Sequence, residues 1–384
     1  MNKSNPFTPA FGSLPQMFFG RKRELEFASE AMDNPNSPHR AFFITGNRGC
    51  GKTTLLERIS RTAAERKWNT VDVHSAYAVQ SIIEELAGGG QKTVTKEASP
   101  SALGVRAGSI SSTTTSSYSE ASLARLLAEK CEGLTLRKGI LITVDEIQKV
   151  PESDAEAICA AVQLSLHKGL PVMLVLAGLP GSKEQVASYP GCTFMQRTYD
   201  MQIGSLGVDE TLDALDAAFA LVPALQLSKD AFWRIGLFSQ GHPYLMQLAG
   251  YYLVERFADR ALGGVLAIST DDVASIESVA LESYRANVLA PVLDALPESL
   301  STYLRAMCEA EDSEGRIATG DVARLLGKTP QQVSSYRQRL IDKRLIEPDG
   351  KGYARVLLPH IQDYFAYERE LPASNPENKW NRYR

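Results

Sequence analysis

Residues 46–53 read GNRGCGKT and fit the pattern G-x-x-x-x-G-K-[ST] without a mismatch. No other stretch restricts the fold as strongly. The preceding AFFIT (41–45) is a short apolar run with aromatic and β-branched residues, which predicts a buried strand. Residues 53–66 then carry leucine and isoleucine at helical spacing. Strand, glycine-rich turn, helix is the order in which backbone N–H groups can surround a polyphosphate. Gly46, Gly49 and Gly51 keep side chains out of that approach. Lys52 is expected to reach the β and γ phosphates, and the Thr53 hydroxyl to bind Mg²⁺. Asn47, Arg48, Cys50 and Thr54 complete the expected nucleotide-contacting loop. Cys50 has two readings: a small tolerated side chain, or a thiol whose alkylation would crowd the phosphates and block ATP.

Three more apolar runs predict strands at 69–74 (NTVDVH), 139–144 (GILITV) and 171–177 (PVMLVLA), with helical stretches between them, for example 152–168. Strands alternating with helices imply an α/β fold: a P-loop NTPase core with a parallel sheet and helices on both faces. ILITVDE at 140–146 ends in two carboxylates, which would face the ligand crevice at the C-terminal edge of such a sheet. Asp145 is then expected to hold Mg²⁺ through water. Glu146 is expected to orient and deprotonate an attacking water. The alternative for this pair is capping of the following helix.

The segment 88–119, GGGQKTVTKEASPSALGVRAGSISSTTTSSYS, holds too much Ser, Thr and Gly to bury a core and predicts a mobile insert. Within it, GVRAGSI has some strand or hairpin character. From 206 to 292 the pattern turns helical, as in LGVDETLDALDAAF with its acidic first turn, and another helix is predicted over 272–287. After Pro297 a new rhythm begins. These shifts divide the chain into a P-loop core (1–205), a helical lid (206–292), a winged helix (293–370) and a polar tail (371–384). A chain of 384 residues is long enough for several cores.

Composition narrows the function classes. Apolar residues make up 44% and charged residues 22%, with a net charge of -4, so the chain as a whole is not a basic nucleic-acid coat. Five scattered cysteines without a CxxC pair argue against a disulfide framework or structural zinc. The N-terminal residues lack the apolar core of a signal peptide, and no run of eighteen apolar residues is present, so a cytoplasmic protein without a membrane span is expected.

Residues 316–358 have a helix-turn-helix rhythm followed by a hairpin. Val322, Leu325 and Leu326 are expected to pack against Val333, Leu340 and Ile341, with Gly327 in the turn. Thr329 is a predicted N-cap with Pro330 at the first helical position, and Asp349-Gly350 would close the wing. The helix 330–344 would present Gln331, Gln332, Ser335, Tyr336, Arg337, Arg339 and Lys343 to bases and phosphates. Nine Lys/Arg stand against four Asp/Glu between 316 and 355, a local surplus of five positive charges. Winged helices also dock on proteins, and the pattern alone leaves both uses open.

FFGRKREL at 18–25, GNRGCGKT, ILITVDEIQ and GHPYLMQLAG at 241–250 follow one another in an order that resembles the AAA+ and STAND ATPases. The chain is most similar to their initiator-type branch, the archaeal origin-recognition ATPases and related archaeal and bacterial AAA ATPases with a C-terminal winged helix. The resemblance implies that Gly20 and Arg21 lie beside the nucleotide, and that His242 and Pro243 sit where the lid meets it. GHP also reads as a turn that starts a helix with proline in its first turn. The resemblance places Arg197, in CTFMQRTYD, where such proteins often carry an arginine finger, one that can serve a neighbouring subunit. A surface or helix-capping arginine is the alternative. One departure stands out: the fourth strand ends in Ala177-Gly178 where the family commonly has a polar sensor, and Ser182 lies further along. That departure suits a slow ATP switch better than a motor.

Together these features predict an ATP- and Mg²⁺-binding, slowly hydrolysing AAA+ protein whose nucleotide state controls a winged helix that binds double-stranded DNA. The alternative is a STAND-like signalling or defence switch whose winged helix contacts protein. Homo-oligomers or a partner protein fit either reading.

Overall fold

The computed structural model describes residues 5–370 except 11–17, 19, 75–76, 89–119, 135–137, 262 and 313. The insert beyond Gly88, with its GVRAGSI piece, and the tail 371–384 lie outside the described residues.

The first half runs α1 (Lys22–Asp33), β1 (Ala41–Thr45), α2 (Lys52–Glu65), β2 (Asn69–Val73), α3 (Ala78–Ala87), α4 (Glu120–Cys131), β3 (Ile140–Val144), α5 (Glu152–His167), β4 (Val172–Gly178), α6 (Ser182–Ala187) and β5 (Tyr199–Gln202). The five strands form one parallel sheet in the order β2-β3-β4-β1-β5. Every residue of β1, β3 and β4 is buried, because helices cover both faces. Alternate side chains go to opposite cores. Phe43, Ile142 and Leu174 pack with α3, α4 and α5, while Phe42, Ile44 and Val175 pack with α1 and α2. The four predicted strands are all present. The edge strand β5 was not predicted, because YDMQ carries a single buried residue, Met201.

The lid comprises α7 (Val208–Phe219), β6 (Leu225–Leu227), α8 (Lys229–Ser239), α9 (Pro243–Phe257), β7 (Leu266–Ile268) and α10 (Thr270–Tyr284). β6 and β7 pair in parallel as a small sheet that no long apolar run announces. The helix predicted at 272–287 begins earlier, capped by Ser269, whose hydroxyl accepts the Asp272 N–H. It passes at Arg285–Leu289 into a π-helical turn, then into α11 (Ala290–Leu293).

The last unit comprises α12 (Glu298–Glu309), β8 (Ile317–Ala318), α13 (Thr319–Leu325), α14 (Pro330–Asp342), β9 (Ile346–Pro348), β10 (Tyr353–Val356) and α15 (Ile361–Glu370). Its strands pair antiparallel in the order β8-β10-β9, which is the winged-helix arrangement. Val322, Val333 and Leu340 are buried as expected, and Leu326 and Ile341 pack against them. Leu325 is not part of this core and is 54% exposed. The face of α13 that meets the core is set by Val322, Ala323 and Leu326, and at 100° per residue Leu325 falls outside it. One apolar core runs without a break from Phe7 and Phe219 through Leu253 and Tyr284 to Leu340 and Phe365, so lid and winged helix share it. Among the described residues, no helix is long and apolar enough to cross a membrane.

Candidate nucleotide site and its contact with the winged helix

Residues 46–51 cross from the end of β1 to the start of α2, as the GNRGCGKT spacing requires. Their glycines answer different needs. A Cβ on Gly46 would lie 2.4 Å from the Ile203 carbonyl and 2.6 Å from Cys50 Sγ, so this glycine permits packing against the chain leaving β5. Gly49, at φ +75°, would press a Cβ to 2.8 Å from His242 Cε1 and 2.9 Å from Tyr244 Cβ, both on the lid. Gly51, at φ +92°, has open space around it and supplies only the left-handed turn into α2.

Lys52 is buried, and its ammonium donates to the carbonyls of Gly46 (2.9 Å) and Asn47 (3.0 Å). Among the described residues it forms no ion pair with a carboxylate. A buried cation without an acidic partner fits a polyanionic ligand. Thr53 and Arg48 are exposed and Thr54 is half-buried. Cys50 is buried, and burial pushes its thiol pKa up despite the opposing pull of Lys52 and Arg21.

The Thr53 hydroxyl donates to Asp145 Oδ2 at 2.5 Å, so the two expected metal ligands already meet. Among the described residues no cluster of three or more acids, histidines or cysteines is present. Glu146 follows in a left-handed conformation, φ 50°. The Glu146 main-chain N–H donates to Asp145 Oδ1 at 2.8 Å, which orients the Asp145 carboxylate. Gln148, which the sequence reading passed over, donates to Glu146 Oε2 at 2.8 Å, and the Lys149 ammonium lies 3.3 Å from the same oxygen.

The opening motif and the lid close on this loop. Gly20 and Arg21 both have positive φ. The Arg21 guanidinium donates to the carbonyls of Cys50 and Gly204 and pairs with Glu24, while the Arg21 N–H donates to Glu210 Oε1 on α7 at 3.0 Å. His242 caps α9, with Pro243 in its first turn, so the helix-starting reading of GHP is realised. Its ring is buried against Gly49 and meets the Tyr284 ring edge-on, 5.1 Å between centroids. Neither ring nitrogen makes a well-formed hydrogen bond. The nearby Arg48 backbone favours the charged form, but burial outweighs it and pushes the His242 pKa down to about 4. The Tyr244 N–H donates to the Gly49 carbonyl at 3.2 Å, and the Tyr244 hydroxyl accepts from Asn287 in the π-helical turn at 3.1 Å.

Asn47 makes the longest-range contact of the loop. Its carboxamide donates to the main-chain carbonyl of Arg344, just after α14, at 2.6 Å. Arg197 is not brought to the site. It is exposed, two residues before Tyr199, which is level with Phe42 at the start of β1. It therefore lies near the N-terminal end of the strands, whereas the P-loop follows the C-terminal end of β1.

On α14, Gln331, Ser335 and Arg339 are exposed, as is Lys343 just after it. The other candidates have partners. The Gln332 side chain accepts the Thr329 N–H at 2.8 Å in a capping box. Tyr336 is half-buried beneath the Lys328 ammonium, 4.9 Å from its ring centroid. Arg337 donates to the Tyr353 carbonyl at 3.0 Å. Arg316, Arg324 and Arg355 sit in ion pairs, so part of the local positive surplus is neutralised.

Residues 17–175 match the AAA ATPase domain, and residues 286–365 match a domain of unknown function (DUF8462). No curated protein matches the chain. The ORC2 protein of Aeropyrum pernix, solved as ADPNP–ADP complexes, is similar at 16% identity over 94% of this chain and 95% of that one, with a TM-score of 0.58. Its ADP form is similar at 15% identity over 94% and 95%, with a TM-score of 0.50. At such identities the likeness establishes the fold: a P-loop core followed by further domains over almost the whole length.

Proposed function

Because this chain is an AAA+ P-loop ATPase by fold, resembling the origin-recognition proteins, we propose that it binds ATP with Mg²⁺, hydrolyses it slowly and thereby controls its winged helix, which binds double-stranded DNA. The observation that carries the proposal is the hydrogen bond from Asn47 in the phosphate loop to the Arg344 carbonyl beside the DNA-facing helix. A group that must respond to phosphates is thereby tied to the module it would control. The A. pernix relative was solved with adenine nucleotides, the ligand class proposed here.

The chemistry follows from the chain's own groups. Lys52 and the loop N–H groups bind the β and γ phosphates, and Thr53 and Asp145 would hold Mg²⁺, which neutralises phosphate charge when bound. The Glu146 carboxylate takes a proton from the attacking water. That water's oxygen bonds to the γ-phosphorus as the bond to the bridging oxygen breaks, and the bridging oxygen leaves with the electron pair on ADP. Closure of the lid through Arg21–Glu210 and His242 excludes bulk water. Arg197 is proposed to act on a neighbouring copy.

A second reading has one observation in its favour. Gln332, Tyr336 and Arg337 are engaged within the winged helix, which leaves a reduced set for DNA and suits a module that contacts protein. Light scattering after gel filtration separates the two readings, with apo, ATP and ATP-plus-duplex samples. Co-elution with duplex supports DNA control; ATP-dependent oligomers that never retain duplex support the protein-contacting switch. Lys52→Ala abolishes ATP binding in both, and persistence of ATP affinity in that variant would place the site elsewhere.

A further inference from the structure

β4 ends in Ala177-Gly178, with no polar side chain facing the site. The structure fills that position from another element. After Glu146, the chain makes a tight 3₁₀ turn, Ile147–Lys149, which carries Gln148 across to the end of β4. Gln148 Oε1 accepts the Leu179 N–H and the Ser182 hydroxyl, each at 3.3 Å. Its Nε2 donates to Glu146 Oε2 at 2.8 Å. Two donors on one side and a carboxylate on the other fix the orientation of the amide. Gly178 makes room for this: a Cβ there would lie 2.5 Å from Ser182 Oγ and 2.9 Å from Gln148 Oε1.

We propose that Gln148 is a positioning residue for hydrolysis, anchoring the Glu146 carboxylate to the Leu179–Ser182 turn in place of a polar group on β4. The inference rests on the ATPase reading above. Glu146 must present an oxygen to the water attacking the γ-phosphorus and take its proton. A carboxylate on a left-handed residue at a strand end has few local restraints. The Gln148 amide removes that freedom without adding charge. Lys149 reaches the same oxygen, but its side chain is 69% exposed and solvent screens it.

The test compares Gln148→Glu with Gln148→Ala, Glu146→Gln and the unmodified protein at pH 8. Steady-state ATP turnover, fluorescent-nucleotide affinity and thermal midpoint are measured for each. Gln148→Glu keeps an oxygen for Leu179 and Ser182 but has no donor for Glu146. Two carboxyls at that spacing either repel or share one proton, and neither leaves an oriented free base. The expected result is a fall in kcat of about 10–100-fold in both Gln148 variants, by analogy with the range for outer-shell partners of metal ligands. KM and nucleotide affinity should change by less than about threefold, and Gln148→Glu should keep its thermal midpoint. If Gln148 only braced the β4–α6 turn, Gln148→Glu would retain full kcat and Gln148→Ala would lose thermal stability; that outcome overturns the proposal. If the unmodified protein turns over no faster than Glu146→Gln while still binding nucleotide, hydrolysis itself fails, and the positioning role with it.

Discussion

The Asn47 carboxamide donates to the Arg344 carbonyl at 2.6 Å, joining residues 297 positions apart in the chain. Arg344 adopts φ 52°, which turns the chain from α14 into β9 and presents its carbonyl to the loop. Asn47→Ala should free the turn after α14. One neutral hydrogen bond contributes about 0.5–1.5 kcal/mol, so opening at this turn should increase roughly 2- to 12-fold. Hydrogen exchange of residues 340–348 in the nucleotide-free protein measures it. Exchange equal to that of the unmodified protein would show that the contact restrains nothing.

His242 makes stability depend on pH. Its folded pKa of about 4 lies below the unfolded value of 6.5, so below pH 6.5 the unfolded chain takes up a proton that the folded chain refuses. Its contribution is therefore neutral above pH 6.5 and increasingly unfavourable as pH falls toward 4. The full effect is at most about 3 kcal/mol. His242→Phe keeps an aromatic ring against Tyr284 and cannot protonate. Urea melts between pH 7 and 4.5 should show the unmodified protein losing more stability than this variant. Parallel curves would mean that His242 is protonated in the folded state.

Phe7 is 2% exposed and packs against the lid, its ring tilted 53° to that of Phe219 at 4.9 Å between centroids. Gly250 on α9 admits that ring: a Cβ there would lie 2.3 Å from two of its carbons. Phe7→Ala should destabilise the protein by about 3 kcal/mol, and Gly250→Ala by about 1–3 kcal/mol. Both displace the same ring, so the double variant should fall short of the sum in a thermal melt. Full additivity would show that Gly250 serves another purpose.

Arg339 on α14 and Lys343 just after it are exposed and have no ion pair among the described residues. If they contact phosphates, Arg339→Ala should weaken duplex binding about equally across sequences and lower the salt slope by about 1. An unchanged slope would remove Arg339 from the DNA face.

The phosphate loop, the paired acids and four of the strands were legible because each is a local pattern: apolar runs, glycines and carboxylates at fixed spacing. The cap at Thr329 was legible for the same reason. What escaped depends on distant parts of the chain. β5 is a strand only because β1 offers it an edge, and its position puts Arg197 at the far end of the sheet. Gly46 and Gly49 read as bare backbone for phosphates, yet their crowding comes from Ile203 and the lid. Gln148 carries no local signal of its own, because its partners Leu179 and Ser182 come to it only in the fold. Leu325 misled because a seven-residue helix can present its leucines to the core at more than one rotation.

The central claim is that nucleotide state controls the winged helix. Anisotropy of a labelled duplex, titrated with the full chain at two salt concentrations, with and without ATP–Mg²⁺, tests it most directly. Binding that weakens steeply with salt and changes at least about tenfold with ATP is expected, and Lys52→Ala should abolish the ATP effect while keeping the salt dependence. Equal affinity with and without ATP, or no binding at low salt in either state, would contradict the account.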